Sequence, residues 1–176
     1  MFDFLALVRR IEGFFRSPSS NQLYPFEQQF CMEAIGRLRP HSRKILHRQL
    51  CATNKIQRIL DGTSVNIYIL KNGIPIVNGG ITLQRIPQDT RFFTANLKRS
   101  ISSNEILSVL VYLVRGRIFE FEYSESPSAF FFNNPCTNIF HVEEIEFHID
   151  LDALEEEAVR NNNNIDSVLD ERNLSS

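Results

Sequence analysis

The sequence predicts an α+β fold: N-terminal helices packed on one face of a mostly antiparallel sheet of five to seven strands, with a short C-terminal helix. Two patterns lead to this prediction. In residues 1–60, apolar side chains recur at steps of three and four, as on one side of a helix. From Val65 onward they alternate with polar side chains, as on a strand with one buried face.

Three helices are expected in the helical part of the chain, residues 1–62. The first covers the apolar repeat at 4–15, and the second begins at Pro25, a residue that the first turn of a helix tolerates. The third begins near His41 and ends at Asp61-Gly62, because glycine commonly follows a last helical turn. Its inward side would carry Ile45, Leu46, Gln49, Leu50, Thr53, Ile56 and Leu60.

The sheet part, residues 63–152, centres on the two apolar runs of 106–123, which join at Gly116. The run 106–114 also fits a buried helix capped by Asn104, but its β-branched and aromatic residues favour a strand covered on both faces. Gly116 would supply the positive φ of a tight hairpin. The expected strands are 65–70, 74–77, 81–86, 91–98, 106–114, 117–123 and 144–152.

Residues 1–160 are expected to form a single domain, with a short helix over 152–160 and a flexible tail over 161–176. The loop after the hairpin contains Phe130-Phe131-Phe132. Loops seldom expose three phenylalanines, so packing into the core is the favoured interpretation, and an exposed apolar contact surface is the alternative.

The composition is that of a globular protein, with 43% hydrophobic and 23% charged residues. Three cysteines without a CxxC pair indicate neither a disulfide framework nor a zinc knuckle, and favour a reducing compartment. We expect no cleaved signal peptide and no membrane span, which makes the cytoplasm the default location. The oligomeric state stays open.

Catalytic motifs of the familiar kinds are absent from the sequence, and no cofactor is expected. His148 lies between Glu146 and Asp150 on one face of the predicted strand 144–152. A histidine flanked by carboxylates can bind a divalent metal or act as a general base, so a small enzyme or metal protein is one alternative. A solvated strand face is the favoured interpretation.

Charge divides the chain into two halves. Residues 1–100 contain fifteen Lys and Arg against six Asp and Glu, whereas residues 101–176 contain four against fifteen. Basic side chains of the predicted third helix offer a nucleic-acid-binding alternative, although the low pI and missing aromatic residues make nucleic acid unlikely. The residues concerned are Arg43, Lys44, Arg48, Lys55 and Arg58.

The acidic half places carboxylates at alternate positions of predicted strands, which makes a preorganised negative surface suited to a cationic partner. The alternative is that this surface covers the basic helices or faces water. The predicted partner-binding residues are Glu120, Glu122, Tyr123, Phe130, Glu144, Glu146, His148, Asp150 and Asp152.

A resemblance adds to this interpretation. Several residues between positions 45 and 127 resemble small stand-alone bacterial proteins, including immunity proteins that neutralise secreted or contact-delivered toxins. The resemblance implies an inhibitor of a cognate toxin, in which acidic groups block the basic cleft of a toxin domain such as a nuclease. The residues that carry it are Gln49, Asn54, Gln57, Arg58, Asp61, Gly62, Val65, Asn66, Tyr68, Gly116, Arg117, Ile118, Phe119, Glu120, Phe121, Glu122 and Pro127.

Overall fold

The structure, a computed structural model, describes residues 22–76, 82–83, 86, 89–99, 104–131, 140–151 and 153–154. The predicted helix over 4–15 and the tail 161–176 lie outside these residues, as do Asp152 and most of the predicted helix over 152–160. Leu151, Ala153 and Leu154 are helical.

Two helices precede the sheet in the described residues: α1, Pro25–Gly36, and α2, Pro40–Ala52. Each has proline at its first turn, where the missing N–H would have no partner in the helix. The predicted start at Pro25 is therefore confirmed. The apolar residues that recur at steps of four through α1 and just beyond it are also buried, as their helical spacing predicts: Phe26, Phe30, Ala34 and Leu38.

The third helix is shorter than predicted, because residues Lys55–Ile59 form strand β1. Its Ile56 lies opposite Ile67 of the next strand and is buried there. The side chain of Asn54 bonds both the N–H and the C=O of Leu70, at 2.8 Å each. These bonds hold the start of β1 beside residue 70, which follows the strand that pairs with β1. The apolar residues at 55–59 are spaced as on a helix, but pairing with the neighbouring strand decides their structure.

The turn between β1 and the next strand is formed by Asp61 and Gly62, with φ of 57° and 85°. This pair was predicted to end a helix, and the prediction is wrong. Left-handed residues suit both a helix C-terminus and a hairpin turn, so the dipeptide does not discriminate between them. The boundary between the helical and the sheet part consequently lies near Asn54, not at residue 62.

The main sheet has six strands in the order β1-β2-β7-β6-β5-β8, and every neighbouring pair is antiparallel. A separate two-stranded ribbon, β3 with β4, turns at Asn72-Gly73. The α+β prediction is confirmed. After β1 the strands are β2, Ser64–Tyr68; β3, Leu70–Lys71; β4, Ile74–Pro75; β5, Asp89–Lys98; β6, Ile106–Val114; β7, Arg117–Tyr123; and β8, His141–Phe147.

The predicted β6–β7 hairpin is confirmed, with positive φ at Arg115 and Gly116. The interpretation that β6 is covered on both faces is wrong. Its residues from Leu107 onward alternate between buried and half-buried, and both described helices lie against the buried side. The predicted strand 81–86 is also wrong where it is described: Thr82, Leu83 and Ile86 are not in a strand. Leu83 instead donates its N–H to the carbonyl of Gly116.

The core lies between α1, α2 and the inner face of the sheet. Phe30 is central to it, with ring centroids 5.2 Å from Phe121 and 6.4 Å from Phe93. The short helix α3, Pro127–Phe130, follows the last strand of the hairpin and buries Phe130 in the same core. Phe130 and Phe131 are both 4% exposed, so the predicted core packing is confirmed for these two residues, while Phe132 lies outside the described residues.

Strand β8 begins earlier and ends earlier than predicted. It covers His141–Phe147 and is interrupted by an irregular register opposite Asn96 and Leu97. His148 and Asp150 therefore follow the strand, with His148 in a bend. Asp150 accepts a hydrogen bond from the N–H of Ala153, at 2.9 Å, which is the typical role of an aspartate at the start of a helical turn.

Candidate functional site

The outer face of the sheet, defined as the face opposite α1 and α2, brings together carboxylates from two separate strands. Val65 and Phe121 are paired on the inner face, so their neighbours Ser64 and Glu122 point the other way. The same alternation places Glu120 on the outer face of β7. Three strands away from β7, at the edge of the sheet, Glu144 and Glu146 of β8 lie opposite Asn96 and Thr94.

Neutral donors fix three of these carboxylates. Ser64 Oγ donates to Glu120 at 2.8 Å, Tyr112 Oη donates to Glu122 at 2.9 Å, and Asn96 Nδ2 donates to Glu144 at 3.1 Å. Hydrogen bonds from neutral groups orient a carboxylate without cancelling its charge. Within the described part of the chain, none of these three glutamates, nor Glu146, forms a salt bridge.

Cations are also present on the outer face. Lys98 of β5 is paired with Glu143 of the neighbouring strand. Arg91 of β5 lies opposite Tyr112. Burial and the hydrogen bond to Glu122 nevertheless raise the pKa of Tyr112, which keeps its hydroxyl protonated and able to donate. The two described helices lie on the opposite face of the sheet. Their basic side chains therefore do not pair with the outer-face glutamates.

Apolar side chains lie between the carboxylates. Leu110 and Tyr112 of β6 and Tyr68 of β2 are half-buried on the outer face, and the Tyr68 ring is 5.5 Å from Phe119 in an edge-to-face arrangement. Aromatic residues flanked by charge are typical of protein-binding surfaces. Sequence reasoning missed these outer-face residues. The signal that could have found two of them is the period of two within the strand 106–114, which places Leu110 and Tyr112 on the same face.

Tyr123 and Phe130, the two aromatic anchors predicted from the sequence, are buried at 5% and 4% exposure. Tyr123 lies on the inner face and donates its hydroxyl to Glu27 at 3.0 Å. Burial, together with the negative charge of Glu27, raises the pKa of Tyr123 well above its usual value. Neither residue can serve as a surface contact in this fold, so both predictions are wrong.

A buried ion pair occupies the inner face beside Tyr123. Arg58 and Glu27 form two hydrogen bonds, of 2.6 and 2.8 Å, and Glu27 is completely buried. The guanidinium also stacks 3.7 Å from the centroid of Tyr24. Burial lowers the pKa of Arg58, but bonding to Glu27 outweighs this and leaves it raised. Arg58 therefore ties β1 to α1 and is not the surface cation that the helical interpretation predicted.

The remaining basic candidates do not form one helical stripe. Arg43 folds back onto the carbonyl of Leu38, at 2.7 and 3.1 Å. Lys44 and Arg48 are exposed on α2, whereas Lys55 begins the edge strand β1. The predicted nucleic-acid surface is thus divided between two elements.

His148 is exposed and bonds Thr94 through Nε2, at 2.7 Å. Because Asp150 has left the strand, the two side chains do not share a strand face as predicted. Among the residues that the structure describes, no three His, Cys, Asp or Glu side chains are close enough to hold a metal ion.

The described residues contain no helix that is both long and apolar enough to cross a membrane. Comparison with protein-family models, with curated proteins and with solved structures found no match.

Proposed function

We propose that this chain is a non-enzymatic binding protein of the toxin-immunity type, which docks its outer face onto the basic cleft of a partner protein. The observation that carries the proposal is the set of outer-face carboxylates held by neutral donors. These groups retain their charge, and their orientation is set before any partner arrives.

The apolar residues of the same face give such a surface its affinity. Leu110 lies in the middle of the sheet, between Glu122 on one side and Thr94, with Glu146 beyond it, on the other. Tyr112 lies between Glu120 and Arg91. In this proposal the carboxylates accelerate and orient the encounter, while the half-buried tyrosine and leucine bury area against the partner. The same division of labour would suit a nuclease toxin, whose cleft must be basic to bind phosphates.

The proposal predicts a specific kinetic effect of removing charge. We expect Glu122→Gln with Glu146→Gln to slow association by about tenfold and to flatten its salt dependence, because steering depends on the charges facing the partner. The gene neighbourhood of this chain is searched first for a toxin domain, and the catalytically inactivated form of that domain is the partner for the measurement. Stopped-flow association rates at several salt concentrations give the measurement.

The matched control carries the same loss of charge elsewhere. Glu33 lies exposed on α1, and Glu125 lies exposed beyond the end of β7. Glu33→Gln with Glu125→Gln should therefore leave the association rate within about twofold of the unmodified chain. An equal effect of the two double variants would reject the outer face as the docking surface.

A further inference from the structure

A small cavity lies where strands β2 and β7 separate. The two strands pair only at Ser64–Asn66 against Glu120–Glu122, although β2 continues to Tyr68 and β7 begins at Arg117. Beyond the last pair they diverge, and a cavity of about 120 Å³ occupies the gap between them.

Gln49 of α2 holds this gap open. Its Nε2 donates to the carbonyl of Gly116 at 2.8 Å, and its Oε1 accepts from the N–H of Ile118 at 3.0 Å. One buried side chain thus bonds two backbone groups at the start of β7, of which the Gly116 carbonyl also accepts from the N–H of Leu83. The amide of Gln49 therefore occupies the space beside Ile118 where β2 does not pair with β7.

The cavity wall is mostly apolar, but it includes two arginines. Arg115 is exposed at the hairpin turn, whereas Arg117 is half-buried. The Nε of Arg117 is buried, and it is the one such side-chain atom without a hydrogen-bond partner among the described residues. Burial also lowers the pKa of Arg117. The apolar lining comes from Leu50, Ile67, Ile69, Pro75, Val114, Ile118 and Phe119.

A buried donor without an acceptor is costly, and an acceptor supplied by a ligand in the adjoining cavity would remove that cost. The ligand must offer an acceptor to the guanidinium of Arg117 and an apolar body to the wall. A carboxylate is the best acceptor, because it also neutralises the partly desolvated cation. An apolar cavity of roughly 150 Å³ binds benzene, so a cavity of this size limits the body to about one ring.

We propose that this cavity is a binding site for a small monocarboxylate with an aromatic or branched aliphatic body, held by Arg117 and the apolar wall between β2 and β7. The site lies at the hairpin end of the sheet and involves none of the outer-face glutamates, although Tyr68 and Phe119 belong both to its wall and to the outer face. Binding of a small carboxylate by Arg117 can therefore be tested without the docking partner.

Three probes separate the contribution of the apolar wall from that of the Arg117 guanidinium. Benzoate has both ring and charge, benzamide has the ring alone, and acetate has the charge alone. Titration of the full chain is followed by NMR at the Nε–H of Arg117. We expect benzoate to produce a saturable shift, with affinity about tenfold or more above that of benzamide and of acetate, because a hydrogen bond to a charged group is lost in one and the apolar contact in the other.

The variant Arg117→Met keeps an apolar stem and removes the buried donor. We expect it to bind benzoate about tenfold more weakly, to bind benzamide unchanged, and to retain its thermal stability, since no native hydrogen bond of Nε is lost. Arg48→Met removes an exposed arginine of α2 and should alter nothing. Equal affinity of benzoate for the unmodified chain and Arg117→Met, or no preference for benzoate over benzamide, would overturn the proposal.

Discussion

At the scale of single residues, Glu27 organises more of the interior than any other polar group described. It is completely buried, yet each carboxylate oxygen has two partners: Arg58 and Tyr123 on Oε1, and Arg58 and the N–H of Tyr24 on Oε2. A buried charge is tolerable only when it is paired and fully hydrogen-bonded. The pair therefore specifies how α1 sits on β1 and β7.

The variant Arg58→Met should lower the free energy of unfolding by about 3 to 5 kcal/mol, because it leaves the Glu27 carboxylate buried without a cation. Adding Glu27→Gln should recover part of that loss, since the neutral amide can still accept from Tyr123. Urea denaturation measures both. The surface pair Lys98 with Glu143 provides the comparison, and Lys98→Met should cost about 1 kcal/mol or less. Similar losses in Arg58→Met and Lys98→Met would contradict a structural role for the buried pair.

At the scale of elements, the β6–β7 hairpin is where local sequence and tertiary packing agree. The apolar alternation and the Arg-Gly-Arg turn predicted it, and only the partner of the turn could not be predicted. That partner is Leu83, whose N–H lies 3.0 Å from the carbonyl of Gly116. A side chain at position 116 would place its Cβ 1.9 Å from the Leu83 carbonyl oxygen.

Two glycines with similar backbone angles separate strain from crowding. Gly116 and Gly73 have φ of 75° and 78°, but a Cβ at Gly73 would meet nothing within 4 Å. Gly73→Ala should cost only the left-handed strain, about 1 to 2 kcal/mol. Gly116→Ala should cost about 1 to 3 kcal/mol more, because the Leu83 segment must move. Thermal unfolding of both variants tests this difference, and equal losses would show that the 82–83 contact is unimportant.

At the scale of the whole molecule, the two long helices that the structure describes lie on one face of a six-stranded sheet. Such a sheet has an inner face that folding must bury and an outer face whose composition is free for function. The inner face is aromatic and holds the buried titratable groups, whereas the outer face holds the carboxylates. Global stability should therefore respond to alkaline pH through the inner face.

Burial raises the pKa of Cys31 and of Tyr123 well above their usual values. Both groups thus keep their protons in the folded state at a pH where the unfolded chain releases them. Stability from this source is complete below about pH 8 and is lost progressively as pH rises above the pKa values of the unfolded chain, about 8.5 for cysteine and about 10 for tyrosine. In urea denaturation across this range, Cys31→Ala and Tyr123→Phe should each show a shallower decline than the unmodified chain. Identical slopes would contradict the assignment.

The sequence by itself determined the fold class, the start of α1, the β6–β7 hairpin and the buried phenylalanines, because each depends on a local period or on one turn residue. Only the tertiary structure decided that residues 55–59 form a strand, that Arg58 is buried against Glu27, and that Tyr112 instead of Tyr123 faces outward. Those outcomes depend on which distant residue lies opposite. A period specifies the two sides of an element, but only its neighbours in space determine which side is covered.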